Sequence, residues 1–495
     1  MTRRFRRTAV WFRGKDLRVS DHAPLQEAIE SSDEVLPVFV IDPYFFDPTR
    51  ARELPHRMQF LLESLHALSA NLEHLGSKLV ILRGKAVDEI PKWAATHHIN
   101  RIVAQRWTEP FARKRDEIVK TRLEAAGRTF ELFEGELLHV PGSVLTQSGT
   151  PFGVFTPFSK AFLRDVVVEP SLRAPKKLPA VPKEFPTSLP LPTLQELSIE
   201  ENPQIQKGGE KAARVRLKHF LDAPWKTYAT DRDQMGLEGT SRLSADLKFG
   251  TLSPREVWNA VQAIDPNAVD AGAARTHAAE SKRRYLLELL WREFAHELLW
   301  QRPTLLEQPY RADFSAFPYL ENEPHWTAWV QGTTGYPVID AASRQLLAEG
   351  YVHNRARMIT ASFLTKHLLL DYKKGEAHFM KYLTDGDWAQ NNMGWQWSAG
   401  CGCDAQPYFR VFNPVTQGER FDPEGKYVRR YVPELSKLDV KYIHKPWEAS
   451  AAVLSGAGIV LGKTYPKPVV DLSFGRDRFL ATAKMFLKPG ISEQA

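Results

Sequence analysis

The first third of the chain alternates between two hydrophobic periods. Short apolar runs at Thr8–Phe12 (TAVWF), Val35–Ile41 (VLPVFVI), Leu79–Leu82 (LVIL), Ile102–Ala104 and Thr129–Phe133 predict buried strands. Between them lie stretches such as Arg57–Leu75, where apolar residues recur at helical spacing. Strands separated by helices predict a parallel α/β sheet with crossover helices. The first strand leads into Arg13-Gly14-Lys15-Asp16-Leu17-Arg18 in place of G-x-G-x-x-G. The usual dinucleotide phosphate turn is therefore missing from this domain.

From about Val166 to Lys207 proline and lysine dominate, which predicts an extended connector wrapped over the surface. Beyond it the period is helical nearly to the end, at Glu210–Asp222, Arg255–Ile264, Tyr285–Trp300, Ala341–Glu349 and Arg355–Leu370. The expected fold class is an N-terminal α/β domain, a parallel sheet of Rossmann-like topology, plus a large all-α C-terminal domain. The expected division is 1–135, a connector over 136–207, and 208–495.

Composition narrows the function classes. At 495 residues the chain is too long for one ordinary core. No apolar run approaches the roughly 20 residues of a membrane span. The basic start, MTRRFRRTAVWF, runs into a strand with no signal-peptide core, so the expected location is cytoplasmic. Cys401 and Cys403 are the only cysteines; they exclude a disulfide framework and cannot alone complete a four-ligand metal site, so no metal is expected. A net charge of +7 permits a polyanionic partner, and thirteen tryptophans offer stacking surfaces for bases or flavins.

Candidate chemistry concentrates in the helical part. The stretch 385–414, DGDWAQNNMGWQWSAGCGCDAQPYFRVFNP, combines fixed carboxylates and amides with three tryptophans, a mixture suited to a flat ligand with polar edges. Asp387 and Asn391 are four apart, as are Asn391 and Trp395, so on a helix they share a face. Tyr228, followed after eleven residues by Thr240-Ser241-Arg242-Leu243-Ser244, precedes a helix start where hydroxyls and free N–H groups could bind phosphate or simply cap the helix. In ELLWREF, Glu288 and Trp291 lie on one helix face, with Leu287, Leu290, Phe294 and Leu298 as the core stripe. In HNRARM, Asn354 and Met358 present an amide and a soft apolar contact on one side, and Arg355 and Arg357 could meet phosphates or carboxylates.

Taken in order, Tyr-x11-TSRLS, ELLWREF, TGYPVIDAASRQL, HNRARM, DGDWAQNN, GWQW and PYFRVFNP closely resemble the photolyase/cryptochrome flavoprotein family, nearest the microbial class I-type cyclobutane pyrimidine dimer photolyases. The resemblance runs from Thr8 to about Asp471. It implies an antenna-chromophore domain at 1–135 and a domain binding FAD and DNA at 208–495. Tyr228, Thr240, Ser241, Leu243 and Ser244 are implied as phosphate-side FAD contacts, with Arg357 and Asp385 as an ion pair beside the flavin ring. Asp387 is implied as a further flavin contact, and Asn391 as the amide facing flavin N5. Glu288 is implied to bond the dimer's edge with Asn354 as the amide supporting it, Met358 to touch the dimer, Trp291 and Trp397 to wall it, and Arg355 to serve the DNA side.

The implied reaction is light-driven: reduced, excited FAD lends an electron to a flipped-out pyrimidine dimer, the cyclobutane ring splits, and the electron returns. The implied partner is UV-damaged DNA, with no obligatory protein partner and a monomeric chain. A cryptochrome-like light sensor signalling through a protein is the alternative. Two departures from the family pattern stand out. Trp395 matches the innermost residue of the photoreduction chain, but the next positions are Tyr372 and Tyr319, so electrons pass slowly through those tyrosines or take another route by Trp388, Trp326 or Trp329. Glu109 resembles an antenna-contacting acid, while a lysine expected near the distal loop is replaced by Leu305-Leu306, leaving methenyltetrahydrofolate, a deazaflavin or no antenna.

Overall fold

The computed structural model describes residues 4–179, 181–182, 184–264, 277–405 and 407–487. Five strands, β1 (Phe5–Phe12), β2 (Ser32–Ile41), β3 (Val80–Arg83), β4 (Arg101–Gln105) and β5 (Thr129–Phe133), form one parallel sheet in the order β3-β2-β1-β4-β5. The strands read as unbroken apolar runs because both faces are covered. Val10, Phe12, Val35, Phe39 and Ile41 pack on one side, with Phe60, Leu65 and Leu72 of the helix Pro55–His74. Ala9, Trp11, Leu36, Val38 and Val40 alternate to the other side, against Ile90 and Trp93 of Ala86–Thr96 and Val119 and Leu123 of Pro110–Ala125.

Strand order reverses between β1 and β4, which opens a crevice at their carboxyl ends. The chain's own side chains occupy it. Arg13 pairs with Asp116 at 2.8 Å, and Lys15 pairs with Glu136 at 2.5 Å and also with Glu109. The Trp107 ring lies 5.2 Å from the Arg13 guanidinium and 4.9 Å from that of Arg115.

Contacts divide the chain into two compact units, 1–226 with 241–303, and 227–240 with 304–495. The first holds the sheet, the connector and the helices Phe155–Asp165, Glu210–Asp222, Ser244–Phe249, Pro254–Ala263 and His277–Gln301. Among its described residues the connector has no helix or strand over 166–207, yet it is tied down: Leu178 N donates to Leu75 O (3.0 Å) and Leu189 N to Ile81 O (3.1 Å). Gly250 ends the helix Ser244–Phe249 at φ +63°, and a Cβ there would lie 1.9 Å from the Lys15 carbonyl, so only glycine lets that helix end approach the β1 turn.

The second unit packs around Trp329, Leu346, Phe363 and Tyr465. Its helices include Glu323–Gln331, Pro337–Glu349, Asn354–Ser362, Tyr372–Tyr382, Trp388–Ala399 and Leu472–Phe486. The helix expected over Arg355–Leu370 is α-helical only to Ser362; it widens into a π turn at Phe363–His367 and stops with Leu369 at φ +57°. In that turn the buried Lys366 and His367 reach the carbonyls of Arg410 (2.9 Å) and Phe412 (3.0 Å), fixing the backbone of the FRVFNP segment. Among the described residues no helix is long and apolar enough to cross a membrane.

Candidate functional site

In the first unit, Ser241 and Leu243 lead into the helix Ser244–Phe249 through Arg242, whose φ of +52° makes the turn. Leu243, not a hydroxyl residue, occupies the cap position, and no side chain caps the helix. Leu243 is buried, Ser244 is exposed, and Ser241 Oγ accepts from the Tyr285 hydroxyl at 2.9 Å.

Tyr285 belongs to the helix His277–Gln301, which also carries Glu288 and Trp291, both half-buried. Leu287 is half-buried rather than part of the core stripe; Leu286, Leu289, Leu290, Phe294 and Leu298 take that role. The Trp291 indole stacks on Phe155 with ring centroids 3.7 Å apart and planes at 9°. Further along, Glu293 and Glu297 hold His139 between them at 3.0 and 3.1 Å. Those carboxylates push the imidazole up to about 9 against the opposing effect of burial, so it is charged at neutral pH. Glu109 is fully buried and ion-paired with Lys15.

In the second unit, Tyr228 is buried at the start of the short helix Tyr228–Asp231, and Thr240 is half-buried. Gly239 passes so close to Asp231 that a Cβ would meet its backbone oxygen at 2.8 Å. His353 caps the helix Asn354–Ser362, its Nδ1 accepting from Arg355 N at 3.2 Å. Burial is the main cause that pushes this imidazole down to about 4, so it is neutral and Nε2 carries the proton, with no partner for it. Asn354 Nδ2 points at Met358 Sδ (3.9 Å), which confirms that the two share a face. Arg355 is held by Asp233 at 2.8 Å and stacks on Phe421, so its charge is already matched within the unit.

Arg357 donates to Asp385 Oδ2 at 2.7 Å and to the Val352 carbonyl at 2.8 Å. The other oxygen, Asp385 Oδ1, is buried without a partner, as is the neighbouring Thr384 Oγ1. Asp387 caps the helix Trp388–Ala399 by accepting from Gln390 N at 3.0 Å, and Asn391 N donates to its carbonyl one turn on. Asn391 Nδ2 donates one N–H to the Glu376 carbonyl at 3.1 Å, which leaves a second N–H and the acceptor Oδ1. Trp397 and Trp388 are half-buried on the same helix.

Trp395 is buried and lies 6.0 Å from Trp329, which stacks on the half-buried Trp326 at 5.4 Å. Among the described residues no ring contact joins Trp395 to Tyr372, which is buried with a partnerless hydroxyl; Tyr319 packs on Phe317 at 4.9 Å. Sequence reasoning did not assign His353, Thr384 or Phe155. The first two adjoin HNRARM and DGDWAQNN and could have been flagged by position, whereas Phe155 lies in the connector and carried no signal.

Residues 8–182 match the family described as DNA photolyase, and residues 285–485 match the FAD binding domain of DNA photolyase. The deoxyribodipyrimidine photo-lyase of Agrobacterium fabrum is 41% identical over 477 residues, covering 95% of this chain and 96% of the relative. A solved bacterial class III photolyase from Agrobacterium tumefaciens superposes with a TM-score of 0.89 at 39% identity, over 98% of each chain. A Synechocystis cryptochrome superposes with a TM-score of 0.85 at 28% identity, over 97% of this chain and 100% of that one. The expectation of a class I-type neighbour is corrected by that Agrobacterium tumefaciens structure, which is of a class III photolyase.

Proposed function

The chain belongs to the photolyase/cryptochrome family, and we propose that it is a light-driven lyase that splits cyclobutane pyrimidine dimers in UV-damaged DNA, of the class III type. FAD, when bound in its reduced form, supplies the photoexcitable electron that opens the cyclobutane ring and is afterwards returned. The residues present fit a flavin. Asp385 Oδ1 and Thr384 Oγ1 are buried acceptors without partners, His353 Nε2 is a buried donor without one, and Arg357 holds Asp385 in place.

The observation that carries the reading is the Asn391 amide. One of its N–H groups donates to Glu376 O and anchors the amide, and its Oδ1 is available as an acceptor, the complement of the N5–H that only a reduced or protonated flavin carries. In the same reading Tyr228, Thr240, Ser241, Leu243 and Ser244 line the phosphate side, and Asp387 fixes the start of the helix that carries Asn391. Glu288 and Asn354 hold the dimer's polar edge, where a hydrogen bond aimed at developing charge assists ring splitting. Met358, Trp291 and Trp397 supply apolar surface that replaces the stacking a flipped base loses. Arg355, matched by Asp233, supports this region rather than clamping a phosphate.

Electrons enter through Trp395, Trp329 and Trp326 in this proposal, because those rings are contiguous from core to half-exposed edge. Tyr372 is the poorer carrier: burial pushes its phenol far up, and its hydroxyl has no acceptor for the proton an oxidised tyrosine must shed. Tyr319 and Trp388 are then bystanders. An antenna, methenyltetrahydrofolate or a deazaflavin, remains part of the reading, but Glu109, buried against Lys15, does not support the contact assigned to it. The functional division 1–135, 136–207 and 208–495, cytoplasmic action and a monomeric state complete the proposal.

The test is repair of an oligonucleotide bearing one thymine dimer, with chemically reduced flavin and a dark control. Restored thymines under blue light alone are expected. Bound, reduced FAD without repair would overturn the lyase reading in favour of the sensor.

A further inference from the structure

The segment 136–207 reads as a connector, yet the helix Phe155–Asp165 within it buries Phe155, Phe158 and Phe162. These rings pack on the helix His277–Gln301: Phe158 lies 5.1 Å from Phe294, and Phe162 and Phe158 both turn toward His139, which Glu293 and Glu297 hold. Phe155, at the first turn, covers one face of Trp291 almost in parallel, with centroids 3.7 Å apart. Phe294 closes the corner edge-on to both rings, at 5.9 and 6.0 Å.

This geometry does more than bury area. A tryptophan on a helix surface has several rotamers, and a half-buried one gains a stacking ligand only after freezing into one of them. Face-to-face packing on a buried phenylalanine, itself wedged against Phe294, selects one rotamer and leaves only the opposite indole face for a ligand. Preorganising an aromatic wall in this way lowers the entropic cost of binding.

We propose that Phe155 is a positioning residue for dimer recognition, holding the Trp291 indole so that its opposite face stacks on the flipped pyrimidine dimer. The inference rests on the reading of Trp291 as a wall of the substrate site. It assigns a substrate-recognition role to the segment otherwise read as a connector, and none to light absorption or electron transfer.

The test compares the full-length, FAD-loaded protein with Phe155→Leu, Phe155→Tyr and Trp291→Ala in the dark. The readouts are binding to a dimer-bearing and an undamaged oligonucleotide, with FAD stoichiometry and melting temperature measured alongside. Phe155→Leu is expected to weaken dimer binding about twofold to twelvefold, the range of an aromatic pair's specific contribution. Undamaged-DNA binding and FAD content should stay unchanged, Phe155→Tyr should restore discrimination, and repair yield at saturating substrate, measured separately under blue light, should hold. If Phe155→Leu lowers melting temperature but keeps the dimer-to-undamaged ratio, Phe155 is a core residue only and the proposal is overturned. Loss of discrimination in Trp291→Ala with none in Phe155→Leu or a second variant, Phe155→Met, overturns the proposal while sparing the substrate-wall reading. Unchanged discrimination in Trp291→Ala overturns both.

Discussion

Two buried ionic arrangements, one in each unit, look alike in composition and differ in what they leave over. In the first unit His139 uses both ring nitrogens on Glu293 and Glu297, while those carboxylates also accept from Leu138 N, Gly142 N, Arg292 and Gln301. Both imidazole nitrogens and all four carboxylate oxygens there are satisfied, and only Arg292 Nε, on the guanidinium side, lacks a partner. In the second unit Arg357 holds one oxygen of Asp385, and the other is buried with nothing to bond. A cluster whose imidazole and carboxylates are saturated is a staple, because they have nothing left to offer a ligand; leftover hydrogen-bonding capacity in a buried pair marks where a ligand belongs.

That contrast can be broken most directly at the staple. His139→Leu should destabilise the first unit by about 3–5 kcal/mol, the cost of leaving buried carboxylates uncompensated. Chemical denaturation should register the loss, with FAD still bound to the molecules that remain folded. Arg357→Met should do the reverse. Losing a charge-assisted bond and misplacing Asp385 should cost about 1.5–3 kcal/mol of FAD affinity, read by equilibrium release of flavin.

Gly375→Ala sharpens the comparison inside the second unit. Its Cβ would fall 2.2 Å from the Trp395 ring, and overpacking of this kind costs about 1–3 kcal/mol. The displaced Trp395 should slow flavin photoreduction in steady-state absorbance measurements. Trp329→Phe should slow photoreduction as well, with little change in repair by chemically reduced enzyme, whereas Tyr372→Phe should leave both as they are.

The effects of pH run in opposite directions in the two units. The folded-state value of His139 is raised from 6.5 to about 9, so its stabilising contribution is complete below pH 6.5 and disappears as pH rises through 9. Burial lowers Lys366 from 10.5 to about 7, so folding carries the cost of a buried ammonium below pH 7 and is relieved as pH climbs toward 10.5. Between about pH 7 and 9, hydrogen exchange should show the second unit tightening around Lys366 while the first loosens around His139. A parallel response of the two regions would refute the assignment.

The sequence by itself determined the α/β sheet, the helical remainder and the order of motifs, because hydrophobic period and motif spacing are local properties. Thr129–Phe133 and Glu210–Asp222 emerge with the predicted bounds, and the four-residue spacings of Asp387/Asn391 and Asn354/Met358 became real shared helix faces. Tertiary structure alone decided the matters of partnership. Arg355 could have met a phosphate, but Asp233, 122 residues away, matches it. Tyr372 makes no ring contact with Trp395 among the described residues, whereas Trp329, from a helix no local pattern ties to it, lies 6.0 Å away and Phe379 5.1 Å. Phe155 gave no signal because stacking on Trp291 joins residues 136 apart. Local periodicity encodes which face a side chain occupies; which atoms find partners and which remain open depends on segments that meet only when the chain has folded.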